Sequence, residues 1–154
     1  SGVSAGGTLA MNLAYGGNSA IPVRFVFELA APTYFVAEDW GSLMKSDNLG
    51  SEEEFYRMMT GKELSAQEYR QEIKKISPTC LVGEDSVPTL IGYGLKDHCV
   101  PADQKEYLID ALEKNGVSYD YVEFPHSNHL LYGDLDKMQT FMDLSLEYCE
   151  KYFQ

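Results

Sequence analysis

Apolar positions along the chain switch repeatedly between a helical spacing and short, strand-like runs. Thr8-Leu9-Ala10-Met11-Asn12-Leu13-Ala14-Tyr15 is rich in helix formers and stops at Gly16-Gly17, a helix-ending signal. Residues 22–29 form a nearly continuous β-branched and aromatic run, closed by Ala31-Pro32; this predicts a strand covered on both faces. Residues 87–94 predict a second buried strand, with Pro88 near its start where a missing N–H is tolerated. Residues 118–124 alternate as a third strand should. Pro101 suits the first turn of a helix running to about Lys114, ended by Asn115-Gly116. Asp134 is placed to cap a last helix through about Tyr152, with Leu135, Met138, Phe141, Met142 and Leu146 along one face.

Residues 34–76 have another texture, aromatic and acidic. Ser51-Glu52-Glu53-Glu54 and Ser65-Ala66-Gln67-Glu68 are two capping boxes, opening helices to about Thr60 and Ile76 with Gly61 between them. Two short helices set between strands predict a cap, not a sheet-packing crossover, closed by Ser77-Pro78. The order is helix, strand, helical insertion, strand, helix, strand, helix. It predicts an α/β domain over 1–154: part of a doubly wound, mostly parallel sheet with a small helical cap insertion at about 34–76.

Composition narrows the chemistry. The 154 residues carry 24 Asp and Glu against 12 Lys and Arg, a net charge of −12. Without clustered basic residues nucleic acid is not an expected partner. No apolar stretch is long enough to predict a membrane span. The three cysteines, Cys80, Cys99 and Cys149, are odd in number and lack metal-type spacing. They predict free thiols in a reducing, cytoplasmic setting, not a disulfide framework or a zinc knuckle.

Gly2-x-Ser4-x-Gly6 places a serine among small residues immediately before a helix, as a sharp strand-to-helix turn requires. The helix points its N-terminus at the site, and the Ala5 N–H is a candidate oxyanion donor. A serine hydroxyl needs a base, and the candidates are His98, His126 and His129. His129 follows the strand ending at Phe124 and is preferred to His126; His98 reads as a neighbour of the acid. Asp97 follows the strand ending at Gly94 and is preferred as the acid to Asp103, Glu84 and Asp85, which read as a helix first-turn carboxylate and a solvated pair. Three loops from three strands thus converge on the C-terminal edge of the sheet, where ligands gather in such folds. A His126-x-x-His129 metal pair lacks a supporting helix and a carboxylate ligand, so neither metal nor cofactor is expected.

Gly2-Val3-Ser4-Ala5-Gly6-Gly7, Gly94-Leu95-Lys96-Asp97-His98-Cys99-Val100-Pro101 and Pro125-His126-Ser127-Asn128-His129 together resemble the acetyl-esterase and hormone-sensitive-lipase-like branch of the α/β-hydrolases. The likeness covers the whole chain but the C-terminal half of that family's domain. It implies ester hydrolysis through an acyl-enzyme, with Ser4 as nucleophile, Asp97 as orienting acid and His129 as base. The family's upstream His-Gly-Gly oxyanion loop and the strand entering the elbow have no counterpart here, and Asn128 stands where the family often has glycine. The resemblance turns the insertion into a cap over the site, whose Trp40, Phe55 and Met59 are the expected substrate contacts; Tyr34, Phe35, Tyr56 and Met58 share its aromatic texture.

The expected substrate is therefore a small ester of short or medium acyl chain. A prolyl-oligopeptidase-like peptidase and a hydrolase-like module without turnover stand as alternatives. The expected partner is the absent half of the sheet, as another segment or chain, or a second copy pairing through an edge left by the strand at 23–29.

Overall fold

A computed structural model describes residues 1–17, 19–36, 40, 51–101 and 103–153. Four parallel strands form one sheet in sequential order: β1 (Gly2–Val3), β2 (Val26–Leu29), β3 (Thr89–Gly94) and β4 (Tyr119–Phe124). Between them run α1 (Ala5–Tyr15), α2 (Glu52–Thr60), α3 (Ala66–Glu72), a 3₁₀ turn at Ile73–Lys75, α4 (Pro78–Leu81) and α5 (Asp103–Lys114); α6 (Leu135–Tyr152) follows β4. The expected α/β fold is present, with parallel pairing throughout the described residues.

Helices cover both faces. Met11 and Tyr15 of α1, Leu108 and Leu112 of α5, and the insertion's Trp40, Phe55, Tyr56, Tyr69 and Ile73 share one apolar cluster with Val26, Ile91 and Tyr93. Phe141 and Tyr148 of α6 pack on Leu90, Val122 and Phe124 from the other side. Sequential parallel strands are connected by crossovers that follow one hand as a rule, which accounts for α1 and α5 lying on one face while the helix after the last strand closes the other. The strand residues sort by parity: Thr89, Ile91 and Tyr93 face α1 and α5, while Leu90 and Gly92 face α6.

Several expectations are corrected. The first long strand is only four residues, because β2 begins opposite Thr89, and the preceding Pro88 offers no N–H to extend the ladder. The sheet's edges are β1 and β4, not the strand at 23–29, which β1 and β3 flank; β1 is the edge beside the elbow. Gly2–Val3 is a short strand entering the elbow. Pro78 does not simply close the insertion; it opens the one-turn helix α4. Both capping boxes form reciprocally, at Ser51 with Glu54 and at Ser65 with Glu68, and α3 tightens into the 3₁₀ turn at Ile73.

Asp134 precedes α6 but makes no side-chain cap, because its carboxylate is taken up by the loop before it. The buried stripe of α6 is Phe141, Ser145 and Tyr148. Leu135, Met142 and Leu146, expected on that stripe, are exposed. Met142 instead lines an apolar groove with Val3, Phe27 and Leu29 beside the β1 edge.

Candidate active site

Ser4 sits between β1 and α1 at φ 53°, ψ −129°, a conformation a non-glycine residue rarely adopts. Holding it there costs about 1–3 kcal/mol, which surrounding contacts must supply. The Ser4 N–H donates to Leu29 O at 2.8 Å, and Ser4 O accepts from Gly7 N–H at 2.9 Å. Space does the rest. A Cβ on Gly2 would lie 2.1 Å from the Gly6 carbonyl carbon, and one on Gly7 would lie 2.6 Å from Ala31 Cβ. Gly6, expected to be small for the same reason, has nothing within 4 Å of its would-be Cβ. The turn therefore rests on Gly2 and Gly7. Ala5 is the first helical residue, so its N–H has no acceptor one turn back and faces the end where anions are favoured.

Asp97 follows β3 in a tight turn. Its Oδ1 accepts the N–H groups of Cys99 (2.7 Å) and Val100 (3.0 Å), which leaves Oδ2 for His129 Nδ1 at 2.8 Å. His129 Nε2 lies 3.0 Å from Ser4 Oγ. The Asp97 side chain is 4% exposed and that of His129 18%, so the pair is largely shielded while the ring still reaches the surface. Ser4, His129 and Asp97, the three residues singled out in the sequence, thus form one continuous hydrogen-bonded chain across 125 residues.

The His129 loop is held from two sides. Against β3, Lys96 N–H donates to Ser127 O (2.9 Å), and Gly94 lets that carbonyl approach: a Cβ there would be 2.5 Å from Ser127 O and 2.7 Å from Asn128 O. From within, Asp134 accepts the His126 N–H (2.9 Å), His126 Nδ1 (2.7 Å) and the Ser127 hydroxyl (2.6 Å), and Ser127 Oγ accepts the Gly133 N–H. Burial pushes the Asp134 carboxyl up, but the Ser127 and His126 donors outweigh it and hold it below the usual carboxylate range. His126 belongs to this clamp, its side chain 72% exposed, and not to the Ser4 chain. Asn128 is not among the residues with positive φ, and its side-chain oxygen accepts the Leu130 N–H at 3.0 Å, so a non-glycine residue fits there without strain.

A cavity of about 450 Å³ opens beside Ala5, lined by Leu9 of α1, Pro32, Phe35, Trp40, Phe55 and Met59 among others. Trp40, Phe55 and Met59 therefore do meet at one place next to the elbow. Phe35 stacks on Trp40 with ring centroids 6.0 Å apart. Tyr56 stacks on Tyr69, Tyr34 packs on Tyr107, and Met58 faces solvent, so those three lie outside the cavity lining.

Glu28 escaped the sequence reading because it sits in an apolar run that signals only a buried strand. It is fully buried beneath α1, its Oε2 accepts the Ala31 N–H at 2.9 Å, and burial pushes its carboxyl well above the usual range. That bond braces the turn after β2, where Ala30 has φ 51°.

A parallel sheet with helices on both faces, a serine on a strained strand-to-helix turn, and the acid and histidine on the next two strand ends define the α/β-hydrolase fold. The sequence matches the prolyl oligopeptidase family over residues 1–154, and the chain belongs to that family. It matches no curated protein. Among solved structures it is similar to a truncated carbohydrate esterase from gut microbiota (20% identity, TM-score 0.71, covering 99% of this chain and 59% of that one). It is also similar to a propionate-bound thermophilic esterase from Thermogutta terrifontis (20%, 0.69, 97% and 54%). A third is the acylaminoacyl peptidase of Pyrococcus horikoshii (18%, 0.67, 98% and 23%). The chain thus spans little more than half the length of the two esterases.

Proposed function

We propose that this chain carries the nucleophile, base and acid of a serine hydrolase that cleaves carboxylic esters of short or medium acyl chain. The observation that carries the proposal is the hydrogen-bonded series Ser4 Oγ, His129 Nε2, His129 Nδ1, Asp97 Oδ2, at 3.0 and 2.8 Å. His129 Nε2 takes the hydroxyl proton as Ser4 attacks the ester carbonyl, and the Asp97 carboxylate favours the imidazolium that forms. The Ala5 N–H, at the positive end of α1, receives the oxyanion. His129 then protonates the departing alcohol, leaving an acyl group on Ser4, and water reaches that acyl carbon by the same route in reverse.

The apolar cavity against Ala5, with Trp40, Phe55 and Met59, is the proposed pocket for the acyl or alcohol part. Its size suits a small organic group better than a folded polypeptide segment. The remaining oxyanion donors and the next strands of the sheet are proposed to come from sequence beyond the chain or from a partner polypeptide. The apolar groove along the β1 edge, lined by Val3, Phe27, Leu29 and Met142, supports that reading.

Membership of the prolyl oligopeptidase family supports a second reading, a peptidase using the same three residues. Full-length protein should label with a fluorophosphonate probe, and Ser4→Ala should abolish labelling. A wild-type protein that never labels would overturn both readings. Faster cleavage of a Pro-containing peptide anilide than of p-nitrophenyl acetate would replace the esterase reading with the peptidase one.

A further inference from the structure

Two residues beyond Asp97, the turn that hands Oδ2 to His129 also presents an exposed cysteine. Ligand atoms of Asp97, Cys99 and His129 all lie within 4.8 Å of one another. The sequence hid this grouping, because Cys99 has no metal-type spacing to another cysteine and His129 lies on a different strand end. Asp97 retains acceptor capacity: Oδ2 receives one donor, His129 Nδ1, and a carboxylate oxygen has two lone pairs.

We propose that Asp97, Cys99 and His129 form an inhibitory site for a thiophilic divalent cation of the Zn²⁺ class. Three ligands of S, N and O type, with one side open to water, match the donor set that zinc takes. With Zn–S about 2.3 Å and Zn–N about 2.0 Å, tetrahedral ligands stand roughly 3.6 Å apart. Ligand atoms no more than 4.8 Å apart need to draw in by at most about an ångström, and rotation of the exposed Cys99 side chain about χ1 is the proposed movement. The chain's net charge of −12 favours cation approach over anion approach.

Binding and hydrolysis are mutually exclusive by proton bookkeeping. Cys99 ligates as thiolate and its proton leaves to solvent. Neutral imidazole has one lone pair in the ring plane and one N–H. If Nε2 ligates, the lone pair that accepts the Ser4 proton is used. If Nδ1 ligates, the ring proton resides on Nε2, which then has nothing with which to accept. In both cases Ser4 loses its base. The metal site does not depend on the hydrolase reading; only its inhibitory consequence rests on it.

Cd²⁺ is the spectroscopic probe, because thiolate ligation gives an ultraviolet charge-transfer band. Titrated into full-length protein, it should produce the band in wild type, Cys80→Ser and Cys149→Ser. In Cys99→Ser the band should be lost, with affinity falling at least about tenfold. Zn²⁺ should slow fluorophosphonate labelling of wild type, reversibly with chelator, and far less in Cys99→Ser when each protein is normalised to its own metal-free rate. A band that persists in Cys99→Ser, or none in wild type, overturns the site. A Cys99-dependent band with labelling untouched by metal overturns the inhibition. A Cys99-dependent band in a protein that never labels supports the site and counts against the hydrolase instead.

Discussion

Gly94 is the last residue of β3 and the floor beneath the loop that carries His129. An alanine there would place Cβ 2.5 Å from Ser127 O, about 0.9 Å inside ordinary contact at 3.4 Å, with Asn128 O also too close at 2.7 Å. Both obstructing atoms are backbone, so no side-chain rotation relieves the clash. The loop must lift by most of an ångström, and Lys96 N–H, bonded to Ser127 O, lifts or lets go with it. His129 Nε2 begins 3.0 Å from Ser4 Oγ, so such a displacement takes the pair out of hydrogen-bonding range. Misplacement of about 1 Å in a catalytic group costs on the order of 100-fold in rate. Overpacking of this kind also costs about 1–3 kcal/mol of stability. Fluorophosphonate labelling rates of full-length Gly94→Ala against wild type, with circular dichroism to establish folding, test this directly. Gly83→Ala is the control, since a Cβ there meets nothing within 4 Å. A folded Gly94→Ala that labels at the wild-type rate would show that the loop does not rest on this glycine.

Two further outcomes follow from buried carboxyls. Glu28 has a folded pKa well above its ordinary value, so the native state holds more protons than the unfolded one above the usual carboxylate range. Its contribution to stability is present at low pH and is lost as pH rises toward the folded pKa; Glu28→Gln should flatten that decline in urea unfolding curves recorded from pH 5 to 8. Asp134 is shifted the other way, so its contribution is present above the unfolded carboxylate range and lost as pH falls through the lower folded value. Asp134→Asn should lower the maximal labelling rate more than it raises the half-saturating probe concentration, because it loosens the His129 loop without touching the cavity by Ala5; an unchanged rate would remove the clamp from the site.

The parts legible in the sequence were those written in local pattern. Alternating helical and strand-like runs gave the α/β order, and the two capping boxes formed as their spacing predicts. Ser4, Asp97 and His129 were readable because each follows a strand, and a parallel sheet sends all strand ends to one edge. What was illegible depends on partners distant in sequence. The length of β2 is set by Pro88 on the neighbouring strand, which no local property of residues 22–25 reveals. Asp134 looks like an N-cap until the loop returns Ser127 and His126 to it. The apolar residues of α6 span more than one face, so periodicity named Leu135, Met142 and Leu146 while packing chose Phe141, Ser145 and Tyr148.

The elbow also ties these corrections to the chemistry. Ser4 is held at φ 53° by one bond to β2 and by close approaches at Gly2 and Gly7, and Glu28 braces the β2 end against which Gly7 packs. The strain at the nucleophile therefore depends on how firmly a two-residue edge strand is kept in register. Val3 is 55% exposed and pairs only on its β2 side among the described residues. A strand paired on that open edge would stiffen β1, and through it the position of Ser4 Oγ relative to His129. In the proposed enzyme a polypeptide paired on that edge would thus do more than cover apolar surface: it would help hold the geometry, His129 Nε2 3.0 Å from Ser4 Oγ, on which proton transfer from Ser4 depends.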